Sequence, residues 1–205
     1  MTTLSSADKG SAGYGGPAIL LHWIIFLLVV GLFTSAQIAE GVGDQIKQLQ
    51  ALASDPAVAE QIKGLMADRG NLMGVHKAIG VVVFGLVVLR LVARLAIGVP
   101  EPVSGSPILG LLAKAAHGLL YVLLIVMPAS GFLMSMYAGR GVDLLGIPPL
   151  LEKNIELAKQ FGAIHGLTMN VILLVVLFHA AAALWHHYVQ KDETLGRMVP
   201  WLRRA

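Results

Sequence analysis

An all-α membrane protein, a bundle of four transmembrane helices, is the fold this sequence predicts. Three observations predict it. The chain of 205 residues is 56% hydrophobic and 13% charged, about half the charged share of an ordinary soluble domain, roughly 25%. Its mean hydropathy is +0.75. Its apolar residues also gather in four runs, each matching the ~20 residues needed to cross a hydrocarbon core of about 30 Å. Lipid offers a peptide group no hydrogen bond, so such runs are helices rather than open strands.

Residues 1–16 are small and polar and read as a disordered tail. Residues 17–200 form the four-helix domain. The first span covers about 17–37 and carries no formal charge. A cleaved signal peptide is the competing reading, but its apolar core is about 7–15 residues long. This run is longer and opens on His22-Trp23, which a disposable segment would not need. The second span covers about 72–95, with Lys77 near its start and Arg90 and Arg94 near its end. The third covers about 115–138 and the fourth about 161–188, both uncharged.

The connections differ in kind. Residues 38–71 form a long polar loop, within which Ile46, Leu49, Leu52 and then Val58, Ile62, Leu65 recur at helical spacing. Ser54-Asp55-Pro56 is a cap and first-turn signal, so short interfacial helices are expected there. Pro100, Pro102 and Pro107 mark residues 96–107 as a tight turn. Residues 139–160 pass through Gly-Arg-Gly and Pro148-Pro149 to a short amphipathic stretch.

With the N-terminus inside, the inner segments hold Lys9, Arg90, Arg94, Lys114, Lys191, Arg197, Arg203 and Arg204 against four acids. The outer segments hold seven basic residues against eight acidic ones. The basic excess therefore places both termini in the cytoplasm. The net charge of +3, with no basic cluster interleaved with aromatics, excludes nucleic acid as a natural partner. Without cysteine there is no disulfide, thiolate-bound cluster or covalently attached haem.

The seven histidines, His22, His76, His117, His165, His179, His186 and His187, all lie within or at the ends of the spans. Ionisable residues in spans usually face the bundle interior and mark function. His165 and His179 are fourteen residues apart, which returns them to within roughly 40° of one face and separates them by about 21 Å along the helix. One metal centre, with ligands about 2 Å away, cannot use both. Two stacked sites can. His76 follows the start of its span by four residues, as His165 does, so these two share an outer depth. His22, early in the first span, shares the inner depth of His179. Two histidine pairs at two depths are what bis-histidine ligation of two non-covalently held haems requires.

Gly80, Gly118, Gly131, Gly166 and Ala180 to Ala183 suit a flat macrocycle, although small residues also let membrane helices approach closely. Arg90, fourteen residues after His76, shares its face and reaches the depth of His179. There it could pair with a haem propionate; an ordinary positive-inside anchor is the alternative, above all for Arg94. His117 could compete with His22 as a ligand, or hydrogen-bond a propionate or a quinone. His186 lies about 10 Å beyond His179, too far for the same iron, and with Trp185 and His187 it also fits an interfacial belt.

Together Ile-Leu-Leu-His22-Trp23, Val-His76-Lys77-Ala-Ile-Gly80, Val-Leu-Arg90-Leu-Val-Ala-Arg94, Ala-His117-Gly-Leu-Leu-Tyr121 and Pro128-Ala-Ser-Gly131 resemble the bacterial cytochrome b561 family. So does His179-Ala-Ala-Ala-Ala-Leu-Trp185-His186-His187-Tyr188, followed by Lys191-Asp192 and Leu195-Gly-Arg197-Met198. The resemblance runs from residue 17 to 200. It implies a four-helix cytochrome of the bacterial inner membrane with two haem b groups, exchanging electrons with ubiquinone, and haem ligands at His22, His76, His165 and His179. It also implies an outer donor: superoxide in one branch, or a partner dehydrogenase or hydrogenase for which the chain would be a haem-bearing anchor. Lys77, Arg140 and Lys153 near the outer surface would attract a small anion. A quinone needs an apolar slot with a few polar groups, here expected from His117, Trp185, His186, His187 and Lys191. The loop at 38–71 is longer than the family pattern. A metal or proton transporter is the rival of another class, but the eight methionines do not cluster at ligand spacing.

Overall fold

Four long helices make up the fold, in a computed structural model that describes residues 13–98, 100, 103 and 107–203. Helix α1 is Gly16–Gln50, α2 Pro56–Ile97, α3 Pro107–Tyr137 and α4 Ile155–Trp185. Among the described residues there is no strand, only an isolated bridge between Val142 and Ile147. All four helices are long and apolar enough to cross a membrane. In the most apolar stretch of each, at most 17% of the residues are buried within the protein. Side chains of that kind facing outward require lipid as their solvent.

Local chemistry sets the helix ends. Asp55 caps α2, its carboxylate accepting the Ala57 N–H at 2.9 Å, with Pro56 at the first helical position, where a missing N–H costs nothing. Asn154 caps α4 in the same way, through the Leu157 N–H at 3.0 Å. Gly139 ends α3 at φ 72°, a left-handed backbone that glycine adopts without penalty. After Trp185 the last turn of α4 widens into a π turn, His186–Gln190, closed by Lys191 at φ 56°.

The expectation of short interfacial helices in residues 38–71 is corrected. Both helical segments exist, but each continues a span: α1 runs on to Gln50, and α2 begins at Pro56. The two form an antiparallel arm. Arg69 Nε donates to the Ala39 carbonyl at 2.9 Å, and Ala39, Ile46 and Ile62 are buried. The apolar period does mark helix in both segments. What the sequence concealed was the join, because residues 38–45 and 67–71 are polar yet hold no helix breaker except glycine. The expected disordered tail lies outside the described residues up to residue 12, and half of the expected turn at 96–107 lies outside them too. The stretch before residue 161 is the first part of α4.

The chain divides into two contact units. The first comprises Met1–Ile24, Leu86–Met127 and Ile164–Ala205; the second comprises Ile25–Gly85 and Pro128–Ala163. In the first, Val87 and Ile172 are buried, and the C-terminal segment is tied to α1 by Trp23 Nε1 donating to the Met198 carbonyl at 2.9 Å. In the second, Val83, Met136, Val142 and Ala158 are buried. Ser135 Oγ donates to the Arg140 carbonyl at 3.0 Å, which holds the α3–α4 connection against the end of α3.

Candidate haem centre

In the first unit α1, α3 and α4 bring three histidines together. The rings of His22 and His179 lie with centroids 6.4 Å apart and planes tilted at 56°. An iron about 2 Å from one nitrogen of each ring would place the centroids roughly 6 Å apart, so this pair fits the axial ligand set of one haem. His117 meets His179 edge-on at 5.3 Å. That spacing is ring-on-ring contact, shorter than a shared iron needs. His117 Nδ1 also donates to the Ala113 carbonyl one turn back, at 2.7 Å. Of the two candidates for partnering His179, His22 has the better spacing.

Arg90 lies beside this group. Its Nη1 donates to the Ala18 carbonyl at 2.6 Å, one turn before His22 on α1. The guanidinium has five N–H donors, so one bond to a carbonyl leaves it able to bind a carboxylate as well. Arg94 instead stacks over the Tyr121 ring at 5.6 Å. The two arginines were indistinguishable by type, and the structure separates them.

His165 belongs to the first unit and His76 to the second. Each has a partner that fixes its tautomer. His165 Nδ1 lies 2.8 Å from the Met127 carbonyl. A carbonyl only accepts, so Nδ1 carries the proton and Nε2 the lone pair. His76 Nδ1 lies 2.8 Å from Ser35 Oγ. The Ser35 hydroxyl gives its one proton to the Leu32 carbonyl at 2.8 Å, so it accepts from His76, and Nε2 is again the lone-pair nitrogen. Metal-bound histidines are characteristically oriented in this way by their second nitrogen.

The glycines test the macrocycle reading. A methyl group added at Gly80, Gly118 or Gly166 would meet no atom within 4 Å. The same holds at Gly31, Gly64 and Gly85, so open space beside a glycine is not particular to the histidine-bearing positions.

At the C-terminal end of α4, His186 Nδ1 donates to Asp192 Oδ2 at 2.6 Å, and Trp185 meets the His186 ring edge-on at 5.2 Å. Asp192 Oδ1 accepts the Thr194 N–H at 2.8 Å. Burial alone would push the Asp192 carboxyl up, but the hydrogen bonds from Thr194 and His186 outweigh it and hold the carboxyl below the usual aspartate range. His187 stacks edge-on with Tyr188 at 4.9 Å, and Lys191 is exposed. The expected quinone group thus splits: His186 is oriented by a carboxylate, whereas Lys191 serves as the helix stop. In the second unit Lys77 Nζ donates to the Gly141 carbonyl, which joins it to the loop bearing Arg140.

Ser35, the Met127 carbonyl and Asp192 were not singled out from the sequence. Ser35 left one trace, a hydroxyl beside that of Thr34 in an uncharged, mostly apolar span. A backbone carbonyl leaves none.

A family model described as prokaryotic cytochrome b561 matches residues 13–201. The chain is 36% identical to cytochrome b561 homolog 2 of Escherichia coli (strain K12) over 191 residues, 91% of this chain and 90% of that protein. It is 31% identical to cytochrome b562 of Cereibacter sphaeroides over 187 residues, 91% of this chain and 95% of the relative. It is 34% identical to the probable superoxide oxidase CybB of Yersinia pestis over 129 residues, 62% of this chain and 73% of that protein.

Proposed function

The chain belongs to the prokaryotic cytochrome b561 family, and from that premise we propose that it carries electrons across a bacterial inner membrane through two haem b groups, between an outer donor and ubiquinone. The family implies b-type haem, and four apolar helices imply a multi-pass membrane protein. The single observation that supports the reading is the approach of the His22 and His179 rings to 6.4 Å, a separation at which both could hold one iron. On this reading those two hold the inner haem, and His76 and His165 hold the outer one.

Haem iron supplies the one-electron chemistry. The protein's residues orient it and set its surroundings. His76 and His165 each donate Nδ1–H and so keep Nε2 as the coordinating atom. Arg90, anchored to α1 through Ala18, provides a fixed cation for a propionate at the inner site. His117, packed on the edge of His179, restrains that ring's rotation. His186 and Trp185, with His117, His187 and Lys191 as further candidates, offer polar groups to ubiquinone at the inner headgroup boundary.

Superoxide is the proposed donor. Support comes from the likeness to a relative named as a probable superoxide oxidase and from Lys77 meeting the loop that carries Arg140, which gathers cationic charge for a small anion. The alternative, a haem-bearing anchor for a separate dehydrogenase or hydrogenase, is favoured by the arm. Its two helices run about 20 Å and 24 Å past the spans, counted from residues 37 and 72 at 1.5 Å per residue, and offer a protein donor a surface. A reduced-minus-oxidised spectrum with haem quantification tests the core of the proposal. Two haems per chain and a b-type α-band are expected, and haem-replete preparations without that band would end it. Stopped-flow mixing with superoxide then separates the donors. Haem reduction faster than spontaneous dismutation favours superoxide, and none favours the anchor.

A further inference from the structure

The Ser35 hydroxyl stands between two partners. Its Oγ donates to the Leu32 carbonyl at 2.8 Å and lies 2.8 Å from His76 Nδ1. A hydroxyl has one proton to give and lone pairs to accept with. Since the carbonyl can only accept, the chain of donation runs from His76 Nδ1–H to Ser35 Oγ–H to Leu32 O. Thr34, the next residue on α1, supplies the contrast. Its Oγ1 donates to the Val30 carbonyl at 2.9 Å, the ordinary back-bond of a hydroxyl in a helix. Two adjacent hydroxyls in one apolar span thus do different things, and the bond to an imidazole belongs to Ser35.

We infer that Ser35 is a positioning residue for His76: it accepts the Nδ1 proton, fixes the tautomer that presents Nε2 to haem iron, and lowers the reduction potential of the haem that His76 ligates. The inference rests on the reading of His76 as a haem ligand. The physical cause is polarisation. An imidazole whose N–H is drawn towards an acceptor is a more basic ligand at its other nitrogen, and a more basic ligand favours ferric over ferrous iron. Because Ser35 passes its own proton to Leu32, the two bonds polarise in the same direction and reinforce each other. His165 makes the corresponding bond to a backbone carbonyl, which no side-chain substitution removes. Ser35 is therefore the side chain through which the outer haem's potential can be adjusted without touching a ligand.

The test is a potentiometric titration of the purified holoprotein, followed at the α-band, with low-temperature electron paramagnetic resonance of the ferric state. His76→Ala first identifies which haem signal depends on His76. Ser35→Ala should raise the midpoint of that haem alone, corresponding to roughly a three- to tenfold shift in its ferrous-to-ferric ratio at fixed potential, the worth of one hydrogen bond. Its resonance g-values should move too, because the ring loses its rotational restraint. Ser35→Thr should restore both readouts, and Thr34→Ala should leave both as in the parent protein. Loss of the haem in Ser35→Ala with retention in Ser35→Thr also supports positioning. Unchanged midpoints and g-values in Ser35→Ala, or an equal shift in Thr34→Ala, overturn the role of Ser35. Retention of both haems in His76→Ala overturns instead the ligand reading on which it rests.

Discussion

A histidine set among apolar helices has two nitrogens to place, and what one of them bonds decides what the other can do. His76 and His165 both give Nδ1–H away, to Ser35 and to the Met127 carbonyl, which leaves Nε2 as the lone-pair nitrogen of each ring. The His22 and His179 rings come within 6.4 Å of each other, centroid to centroid. Depth and spacing together predict how substitutions group. His22→Ala and His179→Ala should abolish the same half of the redox titration, and His76→Ala and His165→Ala the other half. On the proposed ligand assignment, His117→Ala should keep both haems with a shifted potential, since His117 packs on the edge of the His179 ring. Loss of a haem in His117→Ala, with both retained in His22→Ala, would assign the inner ligand to α3. Asp192 supports a prediction of a different kind. Its carboxyl is held below its ordinary range, so its ionised contacts stabilise the C-terminal segment fully above that range. The stabilisation fades as pH falls through the depressed value. Asp192→Asn should cost about 1–2 kcal/mol at neutral pH, and the difference from the parent should close in acid. Thermal unfolding in detergent across that pH window measures it.

Helix ends and turns show how much depends on single backbone positions. The connection from α3 to α4 turns on Gly141, where a Cβ would overlap the Ile147 carbonyl. Backbone cannot yield as a side-chain tip can. Gly141→Ala should therefore cost roughly 1–3 kcal/mol, the range for overpacking, and should loosen the acceptor that Lys77 uses. If superoxide is the donor, reduction of the outer haem by it should slow while the haem content stays at the parent level. A variant with parent-like melting would show that the loop accommodates the methyl group. The arm made by the ends of α1 and α2 is held by small contacts: Arg69 to Ala39 and a seam of Ala39, Ile46 and Ile62. Its ion pairs Lys47–Asp44 and Lys63–Glu60 are exposed and add little.

Four spans with both ends on one side would put the arm and the α3–α4 connection on the outside. Reporter fusions after Gln48 and after Lys153 should both score as external. A cytoplasmic signal at either position would reverse the proposed haem order relative to the donor. The outward-facing apolar surface of all four helices makes lipid or detergent a requirement for the native state. Water would offer that surface no solvent, and aggregation would compete with folding.

The sequence by itself determined the class of fold, the four apolar runs and the spacing of the histidines along their helices. These follow from composition and from the fixed rise and turn of a helix, which hold whatever the helix packs against. The same regularity put Arg90 at the level of His179 and made Pro56 a first-turn residue. Tertiary structure alone decided how close the His22 and His117 rings come to His179, because rotation about each helix axis depends on contacts between helices far apart in sequence. It also gave Arg90 the Ala18 carbonyl and Arg94 the Tyr121 ring. It joined the polar segments of residues 38–71 to the spans, where Arg69 bonds Ala39 and Ala39, Ile46 and Ile62 are buried, since most helical stability comes from packing rather than from propensity. It also revealed Ser35 and the Met127 carbonyl as acceptors for imidazole protons. Hydrogen bonds of that kind depend on ångström distances between separate helices, which no periodicity along one chain encodes.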